Sequence, residues 1–326
     1  LAPGKEFIYV IGDFNNWSID NEYLMNQTPD GEYFWIEIDS LVKGREYVYQ
    51  FLVDGELRIG DPYAEKILDP SNDPWISEET YPGLISYPVG KTTDIATVFQ
   101  TDQQEFEWSV TDFDPPDIED MVIYELLIRD FTAKHTYQSL IDTLSYLIDL
   151  GINVVELMPV NEFEGNLSWG YNPSFYFAAD KYYGPDTDLK RFIETCHQQG
   201  VAVVLDMVLN HSFGQSPMVR LYWDSENQMP ALNNPWFNQV AKHDFNVGYD
   251  MNHESTYTKR FFVNVVRFWL EEYNVDGFRF DLSKGFTQKN TLGDTYAWGL
   301  YDINRINTWK AYADSIWESD PKTLVI

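Results

Sequence analysis

Cysteine is nearly absent from this chain. The 326 residues contain one, Cys196, so no internal disulfide can form. Its place on the apolar side of a predicted helix marks it as a small core residue. A run of about 18 apolar residues is also lacking, which excludes a hydrophobic transmembrane helix. Basic side chains are scarce: 22 Lys and Arg face 52 Asp and Glu, for a net charge of −30. A field of that sign disfavours nucleic acid and anionic membranes and leaves neutral ligands untouched. Neither an internal repeat nor a low-complexity tract is present. The opening "LAPGKEF" is neither a start Met nor a signal peptide, so a trimmed N-terminus is expected. Aromatic residues are the excess, at 17% with 11 Trp and 22 Tyr. They serve large cores and also sugar-binding surfaces, where flat rings stack on the apolar faces of pyranoses.

Residues 1–87 read as β structure. "EFIYVIGDF", "EYFWIEID" and "REYVYQFLVDGELRIG" are rich in β-branched and aromatic residues and are parted by the turn signals Pro29-Asp30-Gly31 and Asp54-Gly55. An immunoglobulin-like sandwich is expected there. A Pro-, Asp- and Thr-rich connector follows over 88–120. From Met121 the pattern alternates. Apolar runs at "MVIYELLI", "NVVELMPV", "VAVVLDMV" and "VDGFRFDL" are predicted strands, the first of them buried on both faces. Helical spacing occupies "YQSLIDTLSYLIDLG", "DTDLKRFIETCHQQG" and a third segment opened by a Ser255 cap. Such alternation implies parallel βαβ units. No Gly-rich phosphate loop follows the first strand, which counts against a nucleotide-binding sheet. Polar residues gather instead at strand C-terminal ends, as in a (β/α)8 barrel. Residues 212–254 form a long insertion, a length usual for functional loops.

The stretch "GFRFDLSKGF" at 277–286 puts Phe278 and Phe280 on one face of a strand and Arg279 and Asp281 on the other. A buried carboxylate is costly unless paired. The pair is either structural glue or a nucleophile whose charge is supported by its neighbour, and the local pattern leaves both open.

Four segments decide between them. "DMVLNH" (206–211), "GFRFDLSKG" (277–285), "ELMPVNEFEGNLSWGYNP" (156–173) and "VGYDMNHES" (247–255) occur in order at sensible spacing. From about Met121 the chain resembles the α-amylase family, glycoside hydrolase family 13. "VIGDFNNW" (10–17) followed by "DPYA" (61–64) is similar to a family 48 carbohydrate-binding module. The resemblance implies an α/β fold: the N-terminal half of a catalytic (β/α)8 TIM barrel over 121–326, behind the small all-β sandwich.

It also implies roles. Asp281 is the nucleophile that forms a covalent glycosyl-enzyme, with Arg279 supporting its charge. His211 hydrogen-bonds the sugar being cleaved, Asp206 braces Arg279, and Tyr171 stacks under that sugar. Lys284 lies on the leaving side, although Gly285 follows where many α-amylases carry His. Asn210 matches a position that binds calcium in many members, so Ca²⁺ is a candidate ion while no cofactor is required by the chemistry. Trp17 and Trp35 could be sugar platforms, but each is read first as sandwich core.

A retaining glycosidase needs a second carboxyl group as acid/base. In the resembling family it is a Glu ending the fifth strand, and "PKTLVI" at Ile326 reads as that strand just starting. The expectation is therefore a piece of a longer protein, or one that stays bound to the other half of its barrel, close to inert alone. The implied function is a retaining hydrolase of α-glucans, polysaccharide or oligosaccharide. A branching or transglycosylating enzyme and a non-catalytic glucan-binding protein are the alternatives. A secreted or cell-envelope location is expected, with the cytoplasm as the other choice.

Overall fold

Val48, Leu52, Ile11 and Val98 point to one face of an antiparallel sheet, and Ile8, Val53 and Ile59 to the other. In the computed structural model, which describes residues 1–326, that sheet runs in the order Ile8–Gly12, Glu46–Val53, Ala96–Gln100, Lys66–Leu68, with Leu57–Ile59 paired to Glu46–Val53. The Asp54-Gly55 hairpin forms as expected, with φ of 51° and 77° at its two residues, the positive values that a primed turn needs.

Two expectations change here. The sheet does not end at residue 87: Ala96–Gln100 is one of its inner strands, pairing Glu46–Val53 and Lys66–Leu68. The Pro- and Thr-rich stretch before it hid a strand whose partners are remote in sequence. Nor do two full sheets face each other. The Val48 face is closed by Trp17 and by Leu84, Ile85 and Tyr87, from the segment just before Ala96–Gln100. The opposite face joins the core shared with the parallel unit. The short ladder of Asn26–Gln27 with Phe34–Trp35 continues from the Ile8–Gly12 edge, where Met25 N donates to the Ile8 carbonyl at 2.9 Å. Trp17 is core, its Nε1 donating to Asp13 Oδ1 at 3.1 Å. Trp35, in contrast, is 55% exposed.

Residues 101–117 cross the outer helix of the parallel unit. Ser109 N donates to Glu194 Oε1 at 2.9 Å, and Phe113 stacks on His197 with centroids 4.2 Å apart. The two units are tied more firmly by Lys181, which is buried and paired with Glu162 and, at 3.4 Å, with Asp73.

The second unit is an open parallel sheet in the order Leu324–Val325, Gly277–Phe280, Ala202–Met207, Val154–Leu157, Ile123–Leu126. No closed barrel is present. Ile123–Leu126 is an edge strand, and Ile123 and Glu125 are exposed; the expectation of burial on both faces fails because only one side has a neighbouring strand. Helices Tyr137–Asp149, Asp186–Gln198 and Thr256–Tyr273 connect the first four strands. Their boundaries follow local chemistry. Thr136 and Ser255 accept backbone N–H groups at the N-caps. Gly151 and Gly200, just past two of the ends, adopt φ of 81° and 74°, where glycine has no steric penalty. Cys196 is fully buried in this core.

The insertion 212–254 is structured. It holds the helix Pro217–Leu221 and two short antiparallel ladders, of which His211–Ser212 with Tyr249–Asp250 brings its end back to the third strand. An apolar cavity of about 440 Å³ lies between the antiparallel sheet and this unit, lined by Phe51, Trp35, Met218 and Trp236 among others. Its lining includes none of the polar residues gathered at the parallel strand ends.

Candidate active site

Parallel pairing of Ala202–Met207 with Gly277–Phe280 sets Asp206 level with Arg279. That register turns two separate sequence features into one cluster. Arg279 Nη1 donates to both oxygens of Asp206, at 3.0 Å each, and to Asp281 Oδ1 at 2.8 Å. Tyr171 Oη donates to Asp206 Oδ2 at 2.6 Å. Asp206 is fully buried, whereas the Asp281 side chain keeps 17% of its surface open. The inner carboxylate is thus saturated with donors, and the outer one has an oxygen free to meet a ligand.

Burial pushes the Asp206 carboxyl up to about 6, against the hydrogen bond from Tyr171 and the charge of Arg279. Burial also opposes the charge on Arg279, but Asp206 and Asp281 outweigh it and raise its pKa. The Tyr171 hydroxyl is raised by burial and then by its bond to Asp206, and so stays a donor. Below this cluster, Glu125, Glu156 and Asp206 bring carboxylate oxygens within 4.8 Å of one another. Glu156 is raised by burial and by Glu125.

Directly after Asp281 the backbone leaves the strand at Leu282, with φ of 47°. A left-handed conformation is strained for a leucine, and such strain is tolerated mainly where a site requires it. No pattern in the sequence announced it. Lys284 follows, exposed, on the turn Ser283–Gly285, whose Gly285 is buried; Lys284 Nζ is 5.3 Å from the centre of the Trp298 ring.

The expected site residues Asp281, Arg279, Asp206 and Tyr171 therefore meet in one network. Lys284 stands beside it, three residues past Asp281. His211 is buried at the third strand's end, with Nε2 2.9 Å from the Tyr171 carbonyl oxygen. In this arrangement that nitrogen is engaged with backbone and positions Tyr171. Burial lowers the pKa of His211, favouring the neutral ring.

Asn210 lies in a different pocket. Its Oδ1 is buried without a hydrogen-bond partner, as are Asp250 Oδ1 and both ring nitrogens of His243. His243 Nε2 is 3.8 Å from Asp250 Oδ1. A Cβ at Gly285 would collide with Asn210 Oδ1 and come within 2.6 Å of His243 Nε2, so only glycine fits there. Calcium takes roughly six to eight oxygen ligands. An imidazole occupies space where such a cage needs oxygens, and the donor set does not fit that ion. Asp250 sits within a recognised segment, whereas His243 lies seven residues earlier in an aperiodic loop.

Residues 130–247 match the family model described as the alpha amylase catalytic domain. The chain is 28% identical over 260 residues to malto-oligosyltrehalose trehalohydrolase of Saccharolobus solfataricus, covering 79% of this chain and 40% of that protein. It is 28% identical over 297 residues to the 1,4-alpha-glucan branching enzyme GlgB of Francisella tularensis, covering 86% of this chain and 42% of the enzyme. Its fold is similar to that of pullulanase type I from Bacillus subtilis, a structure complexed with maltose, with a TM-score of 0.71 at 24% identity over 99% of this chain and 44% of the other. The chain thus spans about two fifths of the length of these proteins. The matched region contains Tyr171, the Asp206 strand and most of the insertion that returns to it, and over this region the chain is similar to the α-amylase family, glycoside hydrolase family 13.

Proposed function

We propose that this chain carries the nucleophile half of a retaining active site for α-glucans. The observation that supports it most is the shared Arg279 nitrogen, which leaves Asp206 saturated and Asp281 with a free oxygen. Asp281 attacks the anomeric carbon; a carbon–oxygen bond to the enzyme forms as the glycosidic bond breaks, and the departing oxygen takes a proton from an acid. Water, taking over at the same carbon, releases the sugar with retention. A sugar hydroxyl in place of water gives transglycosylation, a second reading that rests on similarity to a branching enzyme, as hydrolysis rests on similarity to a trehalohydrolase. Tyr171 presents its ring toward the reacting sugar, and Lys284 meets the leaving side.

The acid is not among the groups that touch Arg279. Asp206 has both oxygens occupied by Arg279 and Tyr171, so it acts as a brace. For these 326 residues alone we expect maltooligosaccharide binding with negligible turnover, since losing a general acid costs about 10²- to 10⁴-fold.

The test is covalent trapping. The purified protein is incubated with a 2-deoxy-2,2-difluoro glucosyl donor carrying a leaving group good enough to depart without acid assistance. Intact mass should rise by one glycosyl unit, with the adduct on the peptide holding Asp281 and none in Asp281→Asn. Maltotetraose binding with no adduct on Asp281 would favour the glucan-binding alternative over catalysis.

A further inference from the structure

We infer, on the α-glucan reading above, that Trp75 and Trp169 form a second glucan contact surface, built by both units, along which the chain attached to the reacting sugar lies. These indoles stand in water: Trp75 is 79% exposed and Trp169 59%, with Leu167 at 75% two residues before Trp169. Leaving that much apolar surface uncovered is unfavourable, and a cluster of it marks an interaction surface where a lone exposed residue does not. The two segments also meet. The carbonyl oxygen of Asn72 accepts from Trp75 N at 3.1 Å and from Asn166 Nδ2 at 2.9 Å. Trp75 and Trp169 are each three residues from one partner of that contact, a reach of at most about 11 Å at about 3.6 Å per residue. Finally, the surface is continuous with the sugar site. Trp169 precedes Tyr171 by two residues, and the Tyr171 hydroxyl is bonded to Asp206.

Both rings are presented by braced backbone. Trp75 ends the short helical turn Asp73–Trp75. Asp73, its first residue, accepts from Asp69 N at 2.9 Å and pairs with the buried Lys181 at 3.4 Å. Asn72 Nδ2 donates to Asp69 Oδ2 at 2.7 Å. The ion pair that ties the two units together thus also fixes the turn that carries Trp75. On the other side, Glu164 N donates to the Asn172 carbonyl at 3.1 Å and Asn172 Nδ2 to the Glu164 carbonyl at 2.8 Å, which closes the loop 164–172. Gly170, at φ of 89°, packs so tightly on Pro159 that a Cβ would lie 2.4 Å from the Pro159 carbonyl oxygen. Rings on fixed backbone lose little freedom when a ligand settles on them. The chemistry suits a neutral polymer. Indoles stack on the apolar faces of pyranoses, while a net charge of −30 disfavours an anionic partner. With the reacting sugar at Asp281, only a chain of several glucose units extends to both indoles, so affinity should rise with chain length.

The experiment titrates the 326-residue protein with maltose and with maltoheptaose by calorimetry, then repeats both titrations on Trp75→Ala and Trp169→Ala. Wild type should bind maltoheptaose at least tenfold more tightly than maltose. Each variant should weaken maltoheptaose by about tenfold, near the upper end of what an aromatic contact contributes, and maltose by less than about twofold. Trp75→Phe, which keeps a ring, should fall between Trp75→Ala and wild type. Circular dichroism identifies a variant that has not folded, and the other then carries the test. No binding of maltoheptaose, equal affinity for the two sugars, or a maltoheptaose affinity that neither folded variant changes would overturn the inference. Equal losses for both sugars would put the indoles inside the site at Asp281 and overturn it as well. Trapping at Asp281 reads the catalytic proposal alone. Length-dependent binding carried by Trp75 without an adduct would keep this surface and remove the nucleophile; an adduct without length dependence would do the reverse.

Discussion

Asp206 and Asp281 share one nitrogen of Arg279, at 3.0 Å and 2.8 Å. The two carboxylates are unequal because only Asp206 is sealed from solvent. Removing the guanidinium should therefore be felt mostly through Asp206. For Arg279→Gln we expect a loss of about 3–5 kcal/mol, the usual cost of leaving a buried charge without its partner. Urea unfolding measures it. The double variant with Asp206→Asn should recover part of the loss, since the charge left behind is gone. A single-variant loss below about 1 kcal/mol would mean that the pair behaves as a solvated surface bridge.

Tyr171 has two separable parts. Its hydroxyl donates to Asp206 at 2.6 Å, and its ring is the proposed sugar platform. Tyr171→Phe should lower stability by about 1–3 kcal/mol through the lost donor, while maltotetraose affinity stays within about threefold. Tyr171→Ala should lower that affinity by about tenfold, in line with aromatic contacts worth about 0.5–1.5 kcal/mol. Calorimetric titration separates the two variants. Equal affinity in Phe and Ala variants would remove the ring from the sugar site.

The parallel strands and their helices were legible because strong local signals coincide: continuous apolar runs, helical spacing, the Ser255 cap, and Gly151 and Gly200 at the ends of two helical segments. The Arg279–Asp281 relation was legible too, since strand alternation alone puts both on one face. The placement of Asp206 against Arg279 is a matter of register between strands more than 70 residues apart, and the recognised motifs were needed to foresee it. Ala96–Gln100 was missed because its pairing partners are remote and its flanks read as connector. The fully buried strand Pro173–Ala179 was missed: it begins with proline, in a stretch between a predicted strand and a predicted helix to which no element was assigned. His243 was invisible because a loop histidine has no periodic neighbours to place it, and its position follows only from how the insertion folds back.

Lys181 is the buried cation at the contact between the two units. It pairs with Glu162 and with Asp73, which reaches it from the first hundred residues. Burial opposes its charge, but Glu162, Asp73 and Asp180 outweigh that and push its pKa up. Burial pushes Glu162 up to about 7 even with Lys181 beside it. Lys181→Met should cost about 3–5 kcal/mol, because it strands carboxylates that cannot reach water. Asp73→Asn should cost less, since Glu162 still faces the ammonium. Urea midpoints give the order. Loosened contact between the units should also appear as faster hydrogen exchange around Asp73 in the Lys181 variant, and similar losses in both variants would assign the stability to Asp73 instead.

His253 supplies a pH dependence whose sign can be worked out. Burial lowers its pKa to about 3. The ring lies 3.6 Å from Phe286, Nε2 donates to the Leu209 carbonyl at 2.7 Å, and Nδ1 accepts from the Tyr312 hydroxyl at 2.9 Å. A neutral ring satisfies both bonds, and a second proton would break the one to Tyr312. In the unfolded chain the pKa returns to about 6.5. Below that pH the unfolded state binds a proton that the folded state refuses. The contribution is thus whole above about 6.5 and is lost as pH falls toward about 3, at up to about 1.4 kcal/mol per pH unit. Other groups add their own slopes, so the measurement is a difference between wild type and His253→Gln. Urea unfolding at several pH values between about 6.5 and 4 should give a shallower acid decline for the variant, by close to one bound proton. Parallel declines would mean that His253 accepts its proton without leaving the core.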